Sequence, residues 1–196
     1  MKLRKKLRKR QSEKGENMKL LIIGAGGHGK VVAEIARDCG FEETAFLDDF
    51  SSEAIGKTED IEKLRDSFEY AFVGIGNNEI RKNLIERLKK ADYSVPTIIH
   101  PTAYISPSAE IKYGTVVEPK AIVNANSHIG VGCIISVGAI VDHDVTVGDC
   151  AHINSGSVVK AGAKIDSFIK IEAGEIVLGY PQAVVKKIIQ TVDNTV

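Results

Sequence analysis

Between Ile105 and Val177 an aliphatic residue recurs at every sixth position without a single slip. The full series is Ile105, Ile111, Val117, Val123, Ile129, Ile135, Val141, Val147, Ile153, Val159, Ile165, Ile171 and Val177. A mostly small residue stands four positions after each, and the residue before that one is usually Gly, Asn or Asp. A helical period cannot give this spacing, and plain strand alternation is interrupted too regularly. The period predicts a β-helix of hexapeptide repeats, each with one short strand and one bend that tolerates left-handed backbone angles.

The repeat resembles that of the left-handed β-helix acyltransferases, in which three hexads form one triangular coil, so residues 18 apart should stack. The residue before each aliphatic position then points outward and falls on one of three faces. One face is polar and one is mixed: Glu110, His128, Thr146 and Lys164 form the first, and Val116, Ile134, His152 and Lys170 the second. The third, which we call the apolar ridge, comprises Ile122, Ile140, Val158 and Ile176. A continuous outward apolar surface predicts a subunit interface, which the resemblance makes a homotrimer; alternatively, the C-terminal segment of the same chain covers it.

Ahead of the repeat, strands and helices alternate. We predict strands at Lys19–Ile23, Thr44–Leu47, Tyr70–Val73 and Val95–Ile99, and helices from the glycine loop to Cys39, at Ile61–Asp66 and at Glu79–Lys90. The fold class is thus an α/β Rossmann-like half domain followed by a left-handed parallel β-helix and a short C-terminal helix. The predicted domains are a basic tail (1–17), a nucleotide-sugar-binding domain (18–100), the β-helix (101–181), and a C-terminal helix and tail (182–196).

Glycines at 24, 26 and 29 form G-x-G-x-x-G between the first strand and helix. Such a loop lets backbone N–H groups and the helix N-terminus approach a phosphate. Asp48 and Asp49 follow the second strand, where carboxylates commonly bind a ribose or base. Because only half of a dinucleotide fold is present, the pattern favours a mononucleotide such as that of a sugar nucleotide. The alternative is that the glycines serve only tight packing of the strand against the helix.

Charge and cysteine content indicate which partners and which cellular compartment suit this chain. Eight of the 26 Lys/Arg and two of the 26 Asp/Glu lie in residues 1–17, so the remainder is acidic by about six charges, which argues against nucleic acid as a partner. Three interpretations of the basic segment 1–17 are open. It is an electrostatic anchor, a disordered tail, or a stretch that precedes a native start at Met18. Three cysteines without a CxxC pair, no membrane-length apolar run and no signal-peptide pattern predict a cytoplasmic protein without an integral membrane segment.

His143 is the main candidate for chemistry. It stands in a bend beside the apolar ridge, and its stacking neighbours are Ala125 and Ala161, which leave room for a ligand. Histidine can act as a general base near neutral pH. A plain surface-turn histidine is the alternative, and Asp144 either orients it or serves the turn alone. His152, on the mixed face, contacts coenzyme A or is a surface residue.

A set of motifs carries a more specific resemblance. In chain order they are Gly24-Ala25-Gly26-Gly27-His28-Gly29, Leu47-Asp48-Asp49, Gly76-Asn77-Asn78, His143-Asp144, Val147-Gly148-Asp149 and His152-Ile153-Asn154. Over residues 18–188 the chain resembles bacterial sugar acetyltransferases, namely sialic-acid O-acetyltransferases and the UDP-4-amino-sugar N-acetyltransferases of bacillosamine synthesis. The resemblance implies a trimer with acetyl-CoA bound between neighbouring β-helices and no metal.

The resemblance also implies residue roles. His143 is the base with Asp144 as its acidic neighbour, His152 contacts the cofactor, and the sugar nucleotide binds at Gly26, Gly27, His28, Asp48, Asp49, Gly76 and Asn77. Backbone N–H groups near Ala161 or Gly162 are expected to stabilise the oxyanion. Many family members have Glu where this chain has Asp144, and many carry an extra coil before the close of the β-helix.

Several functions remain open at this point. The first is acetyl transfer to the amine of a UDP-4-amino-4,6-dideoxy sugar for surface glycan synthesis, and the second is O-acetylation of a sialic acid or another sugar hydroxyl. A trimeric zinc carbonic anhydrase shares the scaffold but needs three converging histidines, and His128, His143 and His152 occupy different sides of the coil. An NAD-dependent oxidoreductase and a non-catalytic sugar-nucleotide scaffold are further alternatives.

Overall fold

The computed structural model describes residues 18–180. The basic tail at 1–17 and the predicted helix within 182–196 therefore lie outside the described residues.

The N-terminal region is a three-stranded parallel sheet with two helices. The strand order is β2-β1-β3. The elements are β1 (Lys19–Ile23), α1 (Gly27–Asp38), β2 (Glu43–Leu47), a 3₁₀ turn (Thr58–Asp60), β3 (Tyr70–Val73) and α2 (Asn78–Lys90). All four residues of β3 and four of the five in β1 are buried, as expected for a parallel sheet covered on both faces.

Two predicted elements in this region are wrong. The segment 61–66 is a series of turns that follows the 3₁₀ turn, and it contains no α-helix. The predicted strand Val95–Ile99 is reduced to β4 (Ile98–Ile99), which pairs with Val116–Val117 of the β-helix and not with β3. Pro96 has no N–H to donate to a sheet ladder, and its carbonyl accepts the N–H of Gly114. The first β-helix strand thus lies just before the predicted domain boundary at residue 100.

The predicted parallel β-helix is confirmed. Three parallel sheets run along it with strand orders β16-β13-β10-β7-β4, β17-β14-β11-β8-β5 and β15-β12-β9-β6, so every pairing joins residues 18 apart. The strands are β5 (Tyr104–Ile105), β6 (Glu110–Ile111), β7 (Val116–Val117), β8 (Ile122–Val123), β9 (His128–Ile129), β10 (Ile134–Ile135), β11 (Ile140–Val141), β12 (Thr146–Val147), β13 (His152–Ile153), β14 (Val158–Val159), β15 (Lys164–Ile165), β16 (Lys170–Ile171) and β17 (Ile176–Val177).

The corners of the coil carry the left-handed backbone that the repeat predicts. Every sixth residue from Gly114 to Gly174 has φ between +54° and +74°. Glycine, Asn and Asp tolerate this conformation best. Lys120, Cys150 and Phe168 adopt it as well, against the usual preference. The repeat therefore fixes the corner geometry even where the residue type does not favour it.

The mixed face of the β-helix meets the N-terminal region. Val116 and Ile134 are fully buried and pack in one cluster with Val32 and Ala36 of α1. Burial of side chains of this size contributes roughly 1.5–3 kcal/mol each. The part of the mixed face formed by Val116 and Ile134 is thus an internal interface. It places the glycine loop next to the β-helix.

The apolar residues of α2, namely Ile80, Leu84, Ile85 and Leu88, indicate one apolar face, but the helix docks differently. Its buried residues are Arg81, Ile85 and Leu88, while Ile80 is 49% exposed. Positions 81, 85 and 88 follow helical spacing, so the core-facing stripe begins with an arginine.

The apolar ridge is uncovered within the described residues. Ile140 is 36% and Ile176 62% exposed, and Tyr104 extends the same sheet at 55%. Between residues 18 and 180 no helix combines the length and apolar character needed to cross a membrane.

Candidate active site

His143 and Asp144 form a hydrogen-bonded pair on one corner of the β-helix. His143 Nδ1 lies 2.7 Å from Asp144 Oδ2, and both side chains are nearly half exposed. Because a carboxylate only accepts, Nδ1 carries the proton and Nε2 of the neutral ring is left with a lone pair. Nε2 has no bonding partner among residues 18–180. The corner therefore presents an oriented, unoccupied base.

The carboxylate of Asp144 is held from three sides. Its Oδ1 accepts from Asn126 Nδ2 at 3.2 Å, and its Oδ2 accepts from the Tyr180 hydroxyl at 3.2 Å as well as from His143. The hydrogen bond to Asp144 raises the pKa of His143 above its ordinary value, with the Asp142 charge adding to the effect. The same bond, together with those from Asn126 and Tyr180, lowers the pKa of Asp144. An ionised Asp144 thus supports the imidazole at Nδ1.

The backbone donors near the histidine differ from residue to residue. The N–H of Gly162 donates to the carbonyl of His143 at 3.0 Å, so it belongs to the β-helix ladder and is not available to an oxyanion. The expectation for Gly162 is therefore wrong. The N–H of Ala161 has no acceptor within the described part of the chain. At the two stacked positions the preceding side chain accepts the N–H: Asn124 accepts from Ala125, and Asp142 accepts from His143. Ala161 differs because the preceding residue, Lys160, has a side chain that cannot accept a hydrogen bond.

The glycine loop forms the second group of candidate residues. The carbonyl of Gly24 lies so close to Gly29 that a Cβ at Gly29 would overlap it, so this glycine serves helix–strand packing. Gly26 and Gly27 are exposed, and a Cβ at either would meet nothing. No acidic residue lies in the first turn of α1. An open helix N-terminus with no acidic residue in its first turn is a suitable anion site.

His28 lies at the junction of α1 and the β-helix. Its Nδ1 is 3.6 Å from Glu118 Oε1, beyond hydrogen-bond distance, and its Nε2 is buried without a partner among the described residues. Burial, followed by the charges of His152 and Arg81, lowers the pKa of His28 to about 4. Burial conversely raises the pKa of Glu118, whose other oxygen accepts from the N–H of Val137. His28 is therefore neutral at physiological pH.

The two aspartates after β2 hold local structure. Asp48 accepts from the N–H groups of Ala25, Phe50 and Ser51 at 2.8–2.9 Å, and these bonds lower its pKa. Asp49 Oδ1 accepts from the N–H of Thr58 at 2.9 Å. Asp48 thus fixes the glycine loop to the end of β2. Only Oδ2 of Asp49 is without a partner in the described residues.

The third loop lies after β3. Gly76 has open space around its Cα, and its carbonyl accepts from Arg81. Asn77 caps α2, because its Oδ1 accepts from the N–H groups of Glu79 and Ile80. The amide nitrogen of Asn77 is the part of that side chain left for a ligand.

His152 does not join the His143 corner. Its Nε2 lies 3.0 Å from Ser136 Oγ on the mixed face, and burial lowers its pKa to about 4. No hydrogen bond or ion pair within residues 18–180 links the His143 corner to the glycine loop. One chain therefore presents two half-sites on different sides of the β-helix.

Sequence reasoning missed two residues of this region, Tyr180 and Arg81. Tyr180 stands 18 residues after Gly162, so the repeat itself places it on the His143 corner. Arg81 gave no signal beyond its helical spacing from Ile85.

Comparison with known proteins identifies relatives of this chain. Residues 19–88 match the PglD N-terminal domain family. The UDP-N-acetylbacillosamine N-acetyltransferase of Bacillus subtilis (strain 168) is 36% identical over 104 residues, which are 48% of this chain and 48% of that protein. The chain thus matches about half the length of this curated relative.

Two solved structures match over most of the chain. The acetyltransferase domain of PglB from Neisseria gonorrhoeae FA1090 has a TM-score of 0.74 and 34% identity, covering 83% of this chain and 92% of that one, and is also known in complex with acetyl coenzyme A. PerB from Caulobacter crescentus, in complex with CoA and GDP-perosamine, has a TM-score of 0.72 and 32% identity, covering 82% and 88%. The chain belongs to the bacterial sugar acetyltransferase family of hexapeptide-repeat acyltransferases.

Proposed function

We propose that this protein transfers the acetyl group of acetyl-CoA to the amine of a nucleotide-linked amino sugar of the UDP-4-amino-4,6-dideoxy type, for surface glycan synthesis. The observation that carries the proposal is the His143 corner, where Asp144 accepts the Nδ1 proton and leaves Nε2 without a partner among the described residues. Ala161, whose N–H also has no acceptor in residues 18–180, stands at the stacked position one coil further on. The relatives named for amino-sugar acetylation and for bound acetyl-CoA or CoA support the donor and the acceptor class.

His143 acts as the general base in this proposal. Acetyl-CoA supplies the acetyl group as a thioester. His143 Nε2 accepts a proton from the acceptor nitrogen as the N–C bond to the acetyl carbon forms, and the imidazolium then returns that proton to the departing thiolate. Asp144 stabilises the positive ring meanwhile through Nδ1. The Ala161 N–H stabilises the negative charge that develops on the carbonyl oxygen.

The glycine loop binds the nucleotide in this proposal. Open Gly26 and Gly27 at the start of α1 receive phosphate oxygens, with His28 at the edge of the same loop. Asp48 orders the loop, Asp49 follows β2, and Gly76 and Asn77 lie in the loop after β3, so these residues flank β1 on its two sides. His152 contacts coenzyme A in the same scheme, from the mixed face.

A homotrimer completes the site. Ile140 and Ile176 of the apolar ridge are exposed and Ile122 and Val158 are partly exposed, and His143 lies at the corner next to the ridge. A second copy seated on the ridge brings its own surface to the His143 corner, which one chain leaves separated from its glycine loop. We place the enzyme in the cytoplasm, where sugar nucleotides and acetyl-CoA are available.

The test is mass spectrometry after incubation with acetyl-CoA and a panel of acceptors. The panel pairs UDP- and GDP-linked 4-amino sugars with their 4-hydroxy counterparts and includes sialic acids. We expect a gain of one acetyl group on an amino sugar only, and His143→Ala should abolish most turnover while the assembly stays intact. Acetylation of a hydroxyl sugar instead would favour the O-acetyltransferase, and inactivity with every acceptor would favour the binding scaffold.

Metal analysis and cofactor titration address the remaining alternatives. Residues 18–180 contain no group of three or more His, Cys, Asp or Glu side chains placed to hold a metal within one chain. Stoichiometric zinc with carbon dioxide hydration would identify the carbonic-anhydrase alternative, and saturable NAD binding the oxidoreductase.

A further inference from the structure

Tyr180 touches the His143 corner although it lies beyond β17. Its hydroxyl donates to Asp144 Oδ2 at 3.2 Å, the oxygen that also accepts from His143 Nδ1. The two rings have centroids 6.5 Å apart. A single carboxylate oxygen thus connects the phenol to the imidazole.

The end of the β-helix places Tyr180 there. After β17 the chain folds against the preceding corner, where the N–H of Tyr180 donates to the carbonyl of Ala161 at 3.0 Å. The ring packs so closely on Gly162 that a Cβ at that residue would overlap it. Gly179 is equally close to the carbonyl of Ala161. The tyrosine is therefore anchored through its backbone and its ring, and only the hydroxyl is left to act on Asp144.

Asp144 needs such an anchor. It is exposed, it sits in the left-handed conformation at φ +57°, and its own bond to His143 spans adjacent residues. Asn126 fixes only Oδ1, at 3.2 Å. The charged groups around His143 are Asp144 and Asp142. Among the described residues, Tyr180 is the one donor to Asp144 Oδ2 that lies far from it in the sequence.

We propose that Tyr180 is a positioning residue, which holds Asp144 Oδ2 against His143 Nδ1 and thereby keeps Nε2 aimed at the acceptor. The role in turnover rests on the proposed acetyl transfer, whereas the coupling of Tyr180 to the histidine through Asp144 does not. Tyr180 works through Asp144 and touches no reacting atom.

The test is a double-mutant cycle of Tyr180→Phe and Asp144→Asn in the full chain. Tyr180→Phe keeps the ring on Gly162 and removes only the hydroxyl. NMR titration of labelled histidine, with the His143 signal assigned by its loss in His143→Gln, measures the pKa without any substrate. We expect Tyr180→Phe to lower the His143 pKa, because a loosened Asp144 stabilises the imidazolium less.

Kinetics with acetyl-CoA and a UDP-linked 4-amino-4,6-dideoxy sugar give the second readout. Tyr180→Phe should lower kcat about 3- to 10-fold while KM for acetyl-CoA stays within about 2-fold of the wild-type value. When Tyr180→Phe is added to Asp144→Asn, kcat should change by less than about 2-fold. Tyr113→Phe is the matched control, because the exposed Tyr113 side chain makes a ring contact with Lys89 and no hydrogen bond within residues 18–180.

An unchanged His143 pKa in Tyr180→Phe would overturn the proposal, as would an equal loss of kcat in both backgrounds. A lower melting temperature with an unchanged pKa would make Tyr180 a structural cap only. If the wild type acetylates no acceptor, the proposed function fails, and the NMR cycle still decides the role of Tyr180.

Discussion

Arg81 of α2 donates from Nη2 to the carbonyl oxygen of Cys150 at 2.9 Å and so ties the N-terminal region to a corner of the β-helix. Its Nε donates to the carbonyl of Gly132, one coil away, at 2.7 Å. Nη1 reaches the carbonyls of Ile75 and Gly76, and Nη2 the side chain of Asn78. One buried guanidinium thus satisfies acceptors from the third loop, the helix and two stacked coils.

Arg81→Ala should destabilise the protein strongly. The change leaves four carbonyl oxygens without this donor at a buried junction, and each unsatisfied group costs about 1–3 kcal/mol before relaxation and water entry. We expect a loss of about 3–5 kcal/mol in the free energy of unfolding, measured by urea denaturation. Arg87→Ala is the control, since Arg87 pairs with Glu62 on the surface and should contribute at most about 1 kcal/mol. Equal effects of the two changes would contradict the bridging role of Arg81.

The pH dependence of turnover should report the His143–Asp144 pair. The hydrogen bond to Asp144 raises the pKa of His143 above its ordinary value. The protonated ring cannot accept a proton at low pH, so kcat/KM should rise as pH increases through that raised pKa. Asp144→Asn removes the charge that favours the imidazolium, so the acidic limb should move to lower pH. At high pH kcat should still fall about 10-fold, because the base is worth roughly 10²- to 10⁴-fold and Asp144 acts only through it. Asp142→Asn, one residue before His143, is the matched variant and should shift the limb in the same direction by less. A limb unmoved in Asp144→Asn would exclude His143 as the titrating base.

The repeat was readable from sequence because its information is local. Each hexad carries its own inward residue and bend, so the 18-residue stacking and the three faces followed without knowledge of the rest of the chain. Contacts between distant segments were not readable. Burial of Val116 and Ile134 depends on where α1 docks, and Arg81 replaces Ile80 on the buried side of α2 because the corner carbonyls of the β-helix supply its partners.

The parts of the candidate site that follow from the repeat could be predicted from the sequence, and the parts that depend on hydrogen bonding could not. The bend position of His143 and the small stacked residues Ala125 and Ala161 come from the period. The use of Asp48 and Asn77 as backbone acceptors, and of the Gly162 N–H in the ladder, depends on hydrogen-bond geometry that residue spacing does not contain.

The apolar ridge gives a prediction on assembly. Ile140→Glu places a charge in the middle of the ridge, where burial against a second copy would require its desolvation. We expect the proposed trimer to dissociate, so that light scattering after size exclusion gives one third of the wild-type mass, with loss of turnover. Thr146→Glu is the control, because Thr146 is exposed on the polar face beside Lys164. An Ile140→Glu protein with wild-type mass and activity would show that the ridge is not the interface.

Ala161→Pro tests the oxyanion donor while His143, Asp144 and Tyr180 keep their side chains. Proline lacks the N–H, and the repeat already carries Pro107 and Pro119 at the equivalent hexad position, so the backbone accommodates it. The Ala161 N–H makes no bond within the described residues, hence its removal should leave the melting temperature nearly unchanged. We expect kcat to fall about 10²- to 10³-fold, as for the loss of one oxyanion donor, while KM for acetyl-CoA changes little. Ala173→Pro makes the same substitution at an exposed position of another corner and should leave kcat at the wild-type level. A stable Ala161→Pro enzyme with full activity would rule out this N–H as the group that stabilises the transition state.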